Sequence, residues 1–535
     1  MNKKYKYSIL LFFLWAQVVA SQAKKPSDSP NILFVFSDDH AWQSIGAYGG
    51  RLKEVAYTPH IDKLASEGML FRKCFVANAL CGPSRAAILT GKYGHRNGVT
   101  WNRNTNFDGS QQTFPKMLRK NGYQTAIIGK WHLASVPTGF DYFDVMKGQG
   151  RYYNPFLQRG NAEGLQDTRT LVGYNSDVVG DLTIEWLKNG RDKSKPFMLM
   201  SQFKATHHGF CPGPEEYDLY DDVHIPEPDN LFDDFSYRGT AIREQTLTLY
   251  KNLSHGILVG DPGELGKLNP KQRKAWNAYR SKFSKPFQAM NLNWNDQNRE
   301  LSRFKYQALL KNFLAAGAGI DKNVGRIRAF LQENDLADNT IVIYMADHGF
   351  FLGEHGFFDK RFMYEESFRT AFIVHWPGQV EAGVVNDQDI VSNIDIASTF
   401  LDIAGIEIPQ EIQGKSMVPV LQGKTPDNWR KTFLYTYHEL ANHNVQPHFG
   451  VTDGRNKLIY YPKYNEWEFF DLKKDPQEMI SQYFIPENKT VITKLKKELV
   501  RLRNQYYCPP IITLRNMNKK ANWDYEKRLM PLGVK

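Results

Sequence analysis

Asn31-Ile-Leu-Phe-Val-Phe-Ser-Asp-Asp39 is the stretch that decides the fold. Its middle, Ile32 to Phe36, is continuously apolar, and it ends abruptly on two carboxylates, Asp38 and Asp39. A run this short, rich in β-branched and aromatic residues, reads as a strand buried on both faces, as in a parallel sheet covered by helices. Three further runs repeat the pattern. Residues 340–346 stop at Asp347-His348-Gly349, and residues 124–129 stop at Lys130-Trp131-His132. Residues 196–203 stop at Lys204, with His207 and His208 close behind. Between the runs, residues 61–68 and 114–122 carry apolar residues at helical spacing and close on glycine in the manner of a helix C-cap. The expected fold is α/β: a large mixed, mostly parallel sheet sandwiched by helices.

In such sheets ligands bind beyond the carboxyl ends of the strands. That rule gathers Asp38, Asp39, Asp347, His348, Lys130, His132, Lys204 and His207 along one edge. Carboxylates and cations collected there suit a metal ion that holds an oxyanion between itself and the lysines. Residues 81–91, Cys-Gly-Pro-Ser-Arg-Ala-Ala-Ile-Leu-Thr-Gly, add a helix start, with Pro83 in the first turn and Gly91 at the far cap. Cys81 is expected just before this N-terminus, where free N–H groups and the helix dipole favour an anion or a thiolate. Arg85, on the first turn, can fork onto oxyanion oxygens. The residues alone read as a nucleophile facing an anionic substrate, or as a buried structural cysteine.

The whole chain sets wider bounds. With 535 residues, 41% hydrophobic and 23% charged, it is neither disordered, nor a collagen-like repeat, nor a disulfide miniprotein. Residues 1–23 place Lys3, Lys4 and Lys6 before an apolar run and small-residue cleavage options after Ala20 or Ala23. That order is a secretory signal peptide, so export to the periplasm or the medium is expected. No later stretch approaches the roughly 20 apolar residues of a membrane span, so no stable membrane insertion is expected. Residues 489–535 hold 12 Lys+Arg and 3 Asp+Glu, whereas residues 24–488 come to a net −1. A basic tail on a neutral body suits a polyanion such as an acidic polysaccharide, or is simply a solvated helix face. Export argues against nucleic acid. If Cys81 has a chemical role, Cys74, Cys211 and Cys508 leave room for at most one intramolecular disulfide.

Together these residues resemble the formylglycine-dependent (type I) sulfatase family of the alkaline-phosphatase-like superfamily. Cys81-Gly-Pro-Ser-Arg85 is similar to the family's Cys-x-Pro-Ser-Arg maturation motif, and Gly129-Lys-Trp-His-Leu133 to its second signature block. Asp38-Asp39, Asp347-His348-Gly349, Gly353-Glu-His-Gly356 and Asp359-Lys360 follow in the family's order. The resemblance implies that a formylglycine-generating maturation enzyme oxidises Cys81 to formylglycine (3-oxoalanine), whose hydrated aldehyde is a gem-diol. One hydroxyl would attack sulfur and displace the sugar alcohol; deprotonation of the other would expel sulfate. It implies one divalent cation held by Asp38, Asp39, Asp347, His348 and residue 81, neutralising charge on the sulfuryl group. It places Arg85, Lys130 and Lys360 on sulfate oxygens and the nucleophile, with Lys204 as a further substrate-binding residue. His132 becomes the base, and His207, rather than His208, the general acid on the leaving oxygen. Many members carry Asn at the position of His348, and an imidazole suits a borderline metal better than calcium. The Asp-His pair nevertheless resembles iduronate-type and bacterial polysaccharide sulfatases, and calcium is the expected ion.

The expected domain order is a signal peptide at 1–23, a catalytic domain at 24–424, a C-terminal antiparallel α+β subdomain at 425–506 and a basic tail at 507–535. In the subdomain, short strands are expected at 432–438, 449–453, 457–461 and 466–471. A helix follows over 489–506, with Val491, Leu495, Leu499 and Leu502 as its apolar face. His355, Arg361, His438, His443 and Arg455 are candidates for sugar contacts. The expected substrate is a sulfated polysaccharide or its oligosaccharides, algal (ulvan, carrageenan) or glycosaminoglycan. Two rivals stand beside this reading: a phosphonate or phosphate monoester hydrolase of the same superfamily, and a sulfatase fold that only binds sulfated glycans.

Overall fold

Continuous apolar runs become central strands when both faces of a sheet are covered, and all four runs do so. In this computed structural model, which describes residues 29–102, 106–439 and 442–509, they belong to one ten-stranded sheet. The expected signal segment and most of the basic tail lie outside the described residues. In chain order the strands are β1 (Asn31–Ser37), β2 (Met69–Phe71), β3 (Gln124–Lys130), β4 (Tyr142–Met146) and β5 (Phe156–Asn161). They continue as β6 (Gly164–Thr170), β7 (Phe197–Phe203), β8 (Thr340–Ala346), β9 (Phe372–His375) and β10 (Val384–Asn386). Across the sheet the order is β10-β2-β9-β8-β1-β7-β3-β4-β5-β6. The five central strands, β8-β1-β7-β3-β4, are parallel, and antiparallel partners flank them on both sides.

The helices that matter here are α1 (Pro59–Ser66), α2 (Cys81–Thr90), α3 (Phe114–Lys120), α4 (Asn175–Glu185), α5 (Arg299–Glu333), α6 (Asp395–Ile403) and α7 (Lys489–Gln505). Strand β1 shows how they divide the core. Leu33 and Val35 pack on one face with Ile61 of α1, Val179 of α4 and Phe313 of α5. Ile32, Phe34 and Phe36 pack on the other with Ile88 of α2, Leu118 of α3 and Phe400 of α6. Each successive residue thus enters a different apolar layer, which is why polar alternation is missing from the run.

Register then sets where the polar residues emerge. Ser37 pairs with Ala346 on one side and Phe203 on the other, so Asp38, Asp347 and Lys204 leave the sheet side by side. Backbone bonds carry the alignment past the strand ends: Asp347 donates to the Ser37 carbonyl at 3.1 Å and Asp38 to the Ala205 carbonyl at 3.2 Å. Gly129, just before Lys130, has φ +103°, and a Cβ there would lie 1.9 Å from the Gln202 carbonyl oxygen. Only glycine fits that close approach of two strands.

The C-terminal strands β11 (Phe433–Tyr437), β12 (His448–Thr452), β13 (Asn456–Tyr461) and β14 (Glu466–Asp471) form a separate antiparallel sheet in sequential order. Helix α7 buries Ile492, Leu495, Leu499 and Leu502 in the cluster that also contains Phe75 and Phe368, and so ties this sheet to the segments around residues 75 and 368. Ile492, not Val491, opens the buried stripe; Val491 is only half-buried. All four cysteines are free thiols. Among the described residues no helix is long and apolar enough to cross a membrane.

Gly129→Ala is expected to cost more than about 2 kcal/mol, because strain at positive φ adds to a backbone clash. Urea unfolding of the full chain measures it, and an unchanged midpoint would contradict the steric account.

Candidate active site

Three carboxylates and an imidazole converge where β1 and β8 end. Asp39, Asp347, His348 and Cys81 place one ligand-type atom each within 4.8 Å of one another, and all four residues are buried. His348 faces Asp39 Oδ1 at 3.2 Å and Asp347 Oδ1 at 3.5 Å through Nε2. Its Nδ1–H donates to the Gly349 carbonyl at 2.9 Å, so Nε2 presents a lone pair. Burial, and then Lys360, push this imidazole down to about 3. Acceptors therefore face acceptors, an arrangement that repels unless a cation lies between them. The carboxyls register the same strain: burial pushes Asp39 up to about 6, and burial with Asp38 pushes Asp347 well above its usual range. A buried O/N donor set of this kind fits a divalent cation, which would draw these values back down.

Asp38 is placed differently. Burial works against its charge, but Lys130 and Arg85 hold its carboxyl well below the usual range. Lys130 Nζ bonds Asp38 Oδ2, and Arg85 Nη2 reaches Asp38 Oδ1 at 3.1 Å and Asp347 Oδ2 at 3.4 Å. Lys360 Nζ donates to both Asp39 oxygens at 2.7 Å. Lys204 Nζ pairs with Glu264 Oε2 at 2.6 Å. Arg85, Lys130 and Lys360 thus share one buried charge cluster.

Cys81 is the first residue of α2, rather than the residue before it. Its Sγ lies 3.5 Å from His348 Nε2 and 3.8 Å from Asp39 Oδ1. Burial, and then Asp38, push the thiol well above its ordinary value, so the expected thiolate does not form. The helix N-terminus loses to desolvation and three neighbouring carboxylates. His207 joins Asp38 and Cys81 in a second buried group, whereas its neighbour His208 is only half-buried. Burial and then Lys130 keep both His132 and His207 neutral, well below the usual imidazole value. Nδ1 of each is buried without a hydrogen-bond partner among the described residues.

Backbone strain collects here. Asp39, His132, Asp359 and Arg361 all have positive φ, at 60°, 53°, 77° and 104°, without being glycine. Such conformations persist where surrounding structure imposes them, typically at functional sites.

Three partners escaped the sequence reading. Gln202 accepts from Arg85, Gln149 accepts from Lys130, and Glu264 accepts from Lys204. Gln202 had a signal, as a polar residue inside an otherwise apolar buried strand; Gln149 lies in a turn and Glu264 in the four-residue helix Pro262–Leu265, too short to leave a pattern. Of the sugar-contact candidates, Arg361 and His443 meet at Asp359, beside Lys360, at 3.3 and 3.2 Å. The other three are used elsewhere. His355 is buried against Asp233 at 2.8 Å, His438 packs on Phe449, and Arg455 pairs with Asp471 at 2.7 Å.

The sulfatase family model matches residues 30–406, and the N-sulphoglucosamine sulphohydrolase C-terminal model matches residues 353–505. The chain is 41% identical over 517 residues to the N-acetylglucosamine-6-O-sulfatase of Bacteroides thetaiotaomicron, covering 92% of this chain and 90% of that protein. It matches the solved structure of BT4656 in complex with its substrate D-glucosamine-2-N,6-O-disulfate at a TM-score of 0.84 and 38% identity, over 92% of this chain and 100% of that one. A phosphonate monoester hydrolase from Silicibacter pomeroyi shares the fold alone, at a TM-score of 0.66 and 20% identity over 89% and 96% of the two chains. The family model spans well over half of the sequence, from the carboxylates after β1 through Asp347 and His348 after β8, and the chain therefore belongs to the sulfatase family, as a sulfatase on an alkaline-phosphatase-like fold.

Proposed function

We propose that this sulfatase removes the 6-O-sulfate of glucosamine units in saccharides derived from glycosaminoglycans. The observation that carries this reading is the 41% identity to an N-acetylglucosamine-6-O-sulfatase across nearly the whole of both chains. It favours a hexosamine over the algal sugars. Residues 1–23 act as an export signal in this reading, and a formylglycine-generating enzyme of the host modifies Cys81.

The buried neutral thiol is a poor nucleophile; formylglycine at residue 81 would supply a hydroxyl in its place, and a calcium ion held by Asp38, Asp39, Asp347 and His348 would neutralise sulfuryl charge. The remaining work falls to side chains already in place. Lys130, Arg85 and Lys360 surround the position of residue 81 with buried positive charge, so an incoming sulfate replaces carboxylate partners they already hold. Gln202 and Gln149 keep Arg85 and Lys130 aimed inward. His132 takes the proton from the residue 81 hydroxyl, a task that suits an imidazole held neutral. His207 must arrive at the leaving oxygen carrying a proton, and the negative charge of bound sulfate raises its affinity for one. Asp359, Arg361 and His443 offer the sugar hydroxyls a polar wall beside Lys360.

Four outcomes test this reading. Peptide mass spectrometry of natively produced protein should find the residue 81 peptide lighter by about 18 Da, the change from thiol to aldehyde; an unmodified thiol would remove the mechanism. With N-acetylglucosamine 6-sulfate as substrate, His207→Ala should lower kcat about 10²–10⁴-fold with a smaller change in KM. Equal turnover of 3-O- and 6-O-sulfated glucosamine would contradict the regiochemistry. Chelation should lower both activity and the unfolding temperature, because it leaves acceptor groups facing one another; restored calcium at about 100 times its Kd returns roughly 2.7 kcal/mol. Unfolding that ignores chelator and calcium alike would contradict the cation site.

A further inference from the structure

The basic excess of the C-terminal segment has no place in the active site, and part of it lines a cleft of about 780 Å³ between α7 and the residues leading into β11. Lys494, Lys497 and Arg501 come from successive turns of α7; Lys415, Arg430 and Lys431 come from the facing segment. Two acids, Asp453 and Glu498, share the lining. Glu498 is taken by Arg501 at 2.7 Å, while Arg430 forks onto Asp395. Lys415 donates to the Asn428 carbonyl at 2.7 Å. Burial and the charge of Arg430 push its ammonium down, so cations here already crowd one another. Lys431, Lys494 and Lys497 are exposed and have no ion pair among the described residues.

Two aromatic rings lie among these cations. Trp429 is fixed by its indole N–H donating to the Ile390 carbonyl at 3.0 Å, and Tyr506 rests on Tyr93 with 4.8 Å between ring centroids. Trp429 is buried and Tyr506 half-buried, so the two rings give the cleft a rigid wall, and the exposed unpaired cations beside them suit a ligand with several anionic groups. The residues that follow, 510–535, carry six Lys+Arg against two Asp+Glu, and so do not complement this cleft.

The cleft is separate from the sulfate site. Strand β11 runs from Phe433, next to the cleft residue Thr432, to Tyr437, which bonds Arg361 beside Lys360, a span of about 13 Å. Helix α2 separates Cys81 from Thr90, near Tyr93, by about 13 Å as well.

We propose that this cleft is a second, non-catalytic site that binds a polysulfated glycan chain and holds it on the enzyme. The choice of a sulfated glycan among polyanions rests on the function proposed above; the cationic cleft itself does not.

The test uses the full chain with Lys431→Glu, Lys494→Glu and Lys497→Glu combined, and a milder triple Lys→Gln variant as a control for folding. Calorimetric binding of a heparin dodecasaccharide, in a Cys81→Ala background that leaves the ligand intact, should weaken about tenfold or more in the Glu variant and less in the Gln variant. The salt dependence should fall by about three counterions. With Cys81 present, turnover of N-acetylglucosamine 6-sulfate should stay within about twofold, since a monosaccharide does not reach the cleft. Unchanged heparin affinity in both variants overturns the proposal, as does a parallel loss of monosaccharide turnover. Equal, equally sensitive binding of single-stranded DNA of matched charge overturns the assignment to glycans. A wild-type protein that binds heparin through these lysines but releases no sulfate from the monosaccharide counts against the proposed activity and still supports the cleft.

Discussion

Three carboxylates buried at the end of one parallel sheet are the constraint around which the site is arranged. Asp38, Asp39 and Asp347 are all fully inaccessible to solvent. Charges in such a place are costly unless paired and hydrogen-bonded. The protein meets that demand unequally. Asp38 is given Lys130 and Arg85, Asp39 is given Lys360, and Asp347 is left with a long contact to Arg85 at 3.4 Å. The shortfall falls where His348 turns a lone pair toward Asp39 and Asp347. Incomplete neutralisation leaves a cluster of donor atoms that suits a divalent cation, with buried lysine and arginine side chains beside it.

The fold makes that concentration of charge possible by rigidity. Adjacent parallel strands in strict register deliver Asp38, Asp347 and Lys204 side by side, so their spacing is set by backbone hydrogen bonds rather than by flexible loops. Around this edge the chain accepts left-handed conformations at Asp39, His132, Asp359 and Arg361. Each carries a functional side chain or neighbours one, and each conformation costs free energy that the two covered sheet faces offset. Gly129 plays the complementary part, letting β3 approach β7 closely enough to bring Lys130 onto Asp38.

The C-terminal sheet links two regions of different chemistry. One end of β11 brings Tyr437 toward Arg361, and residues just beyond it add Glu439 at 2.8 Å, so the small sheet reaches the charge cluster through Arg361, next to Lys360. The other end opens on the basic cleft beside α7. Because α7 is anchored by Ile492, Leu495, Leu499 and Leu502, its opposite face is free to carry lysines without weakening the core.

Much of this was legible in the sequence alone. Buried-on-both-faces strands write themselves as continuous apolar runs, and the charged residues that stop those runs are by geometry those at the sheet edge. That is why Asp38, Lys130, Lys204 and Asp347 could be named from pattern, and why Cys81 could be placed at a helix start from Pro83 and Gly91. What the tertiary structure decided depends on neighbours remote in the chain. The thiol of Cys81 is neutral because Asp38 and burial, not the helix dipole, dominate its surroundings. His355 is buried against Asp233 and Arg238, and Gln149, from a turn, and Glu264, from a four-residue helix, complete the lysine pairs where no periodicity marks them. The basic cleft joins Lys431 to Lys494 and Lys497 across more than sixty residues of sequence. Periodicity is a local property and is written locally; desolvation, charge pairing and cavity lining are properties of space, and only the folded chain determines them.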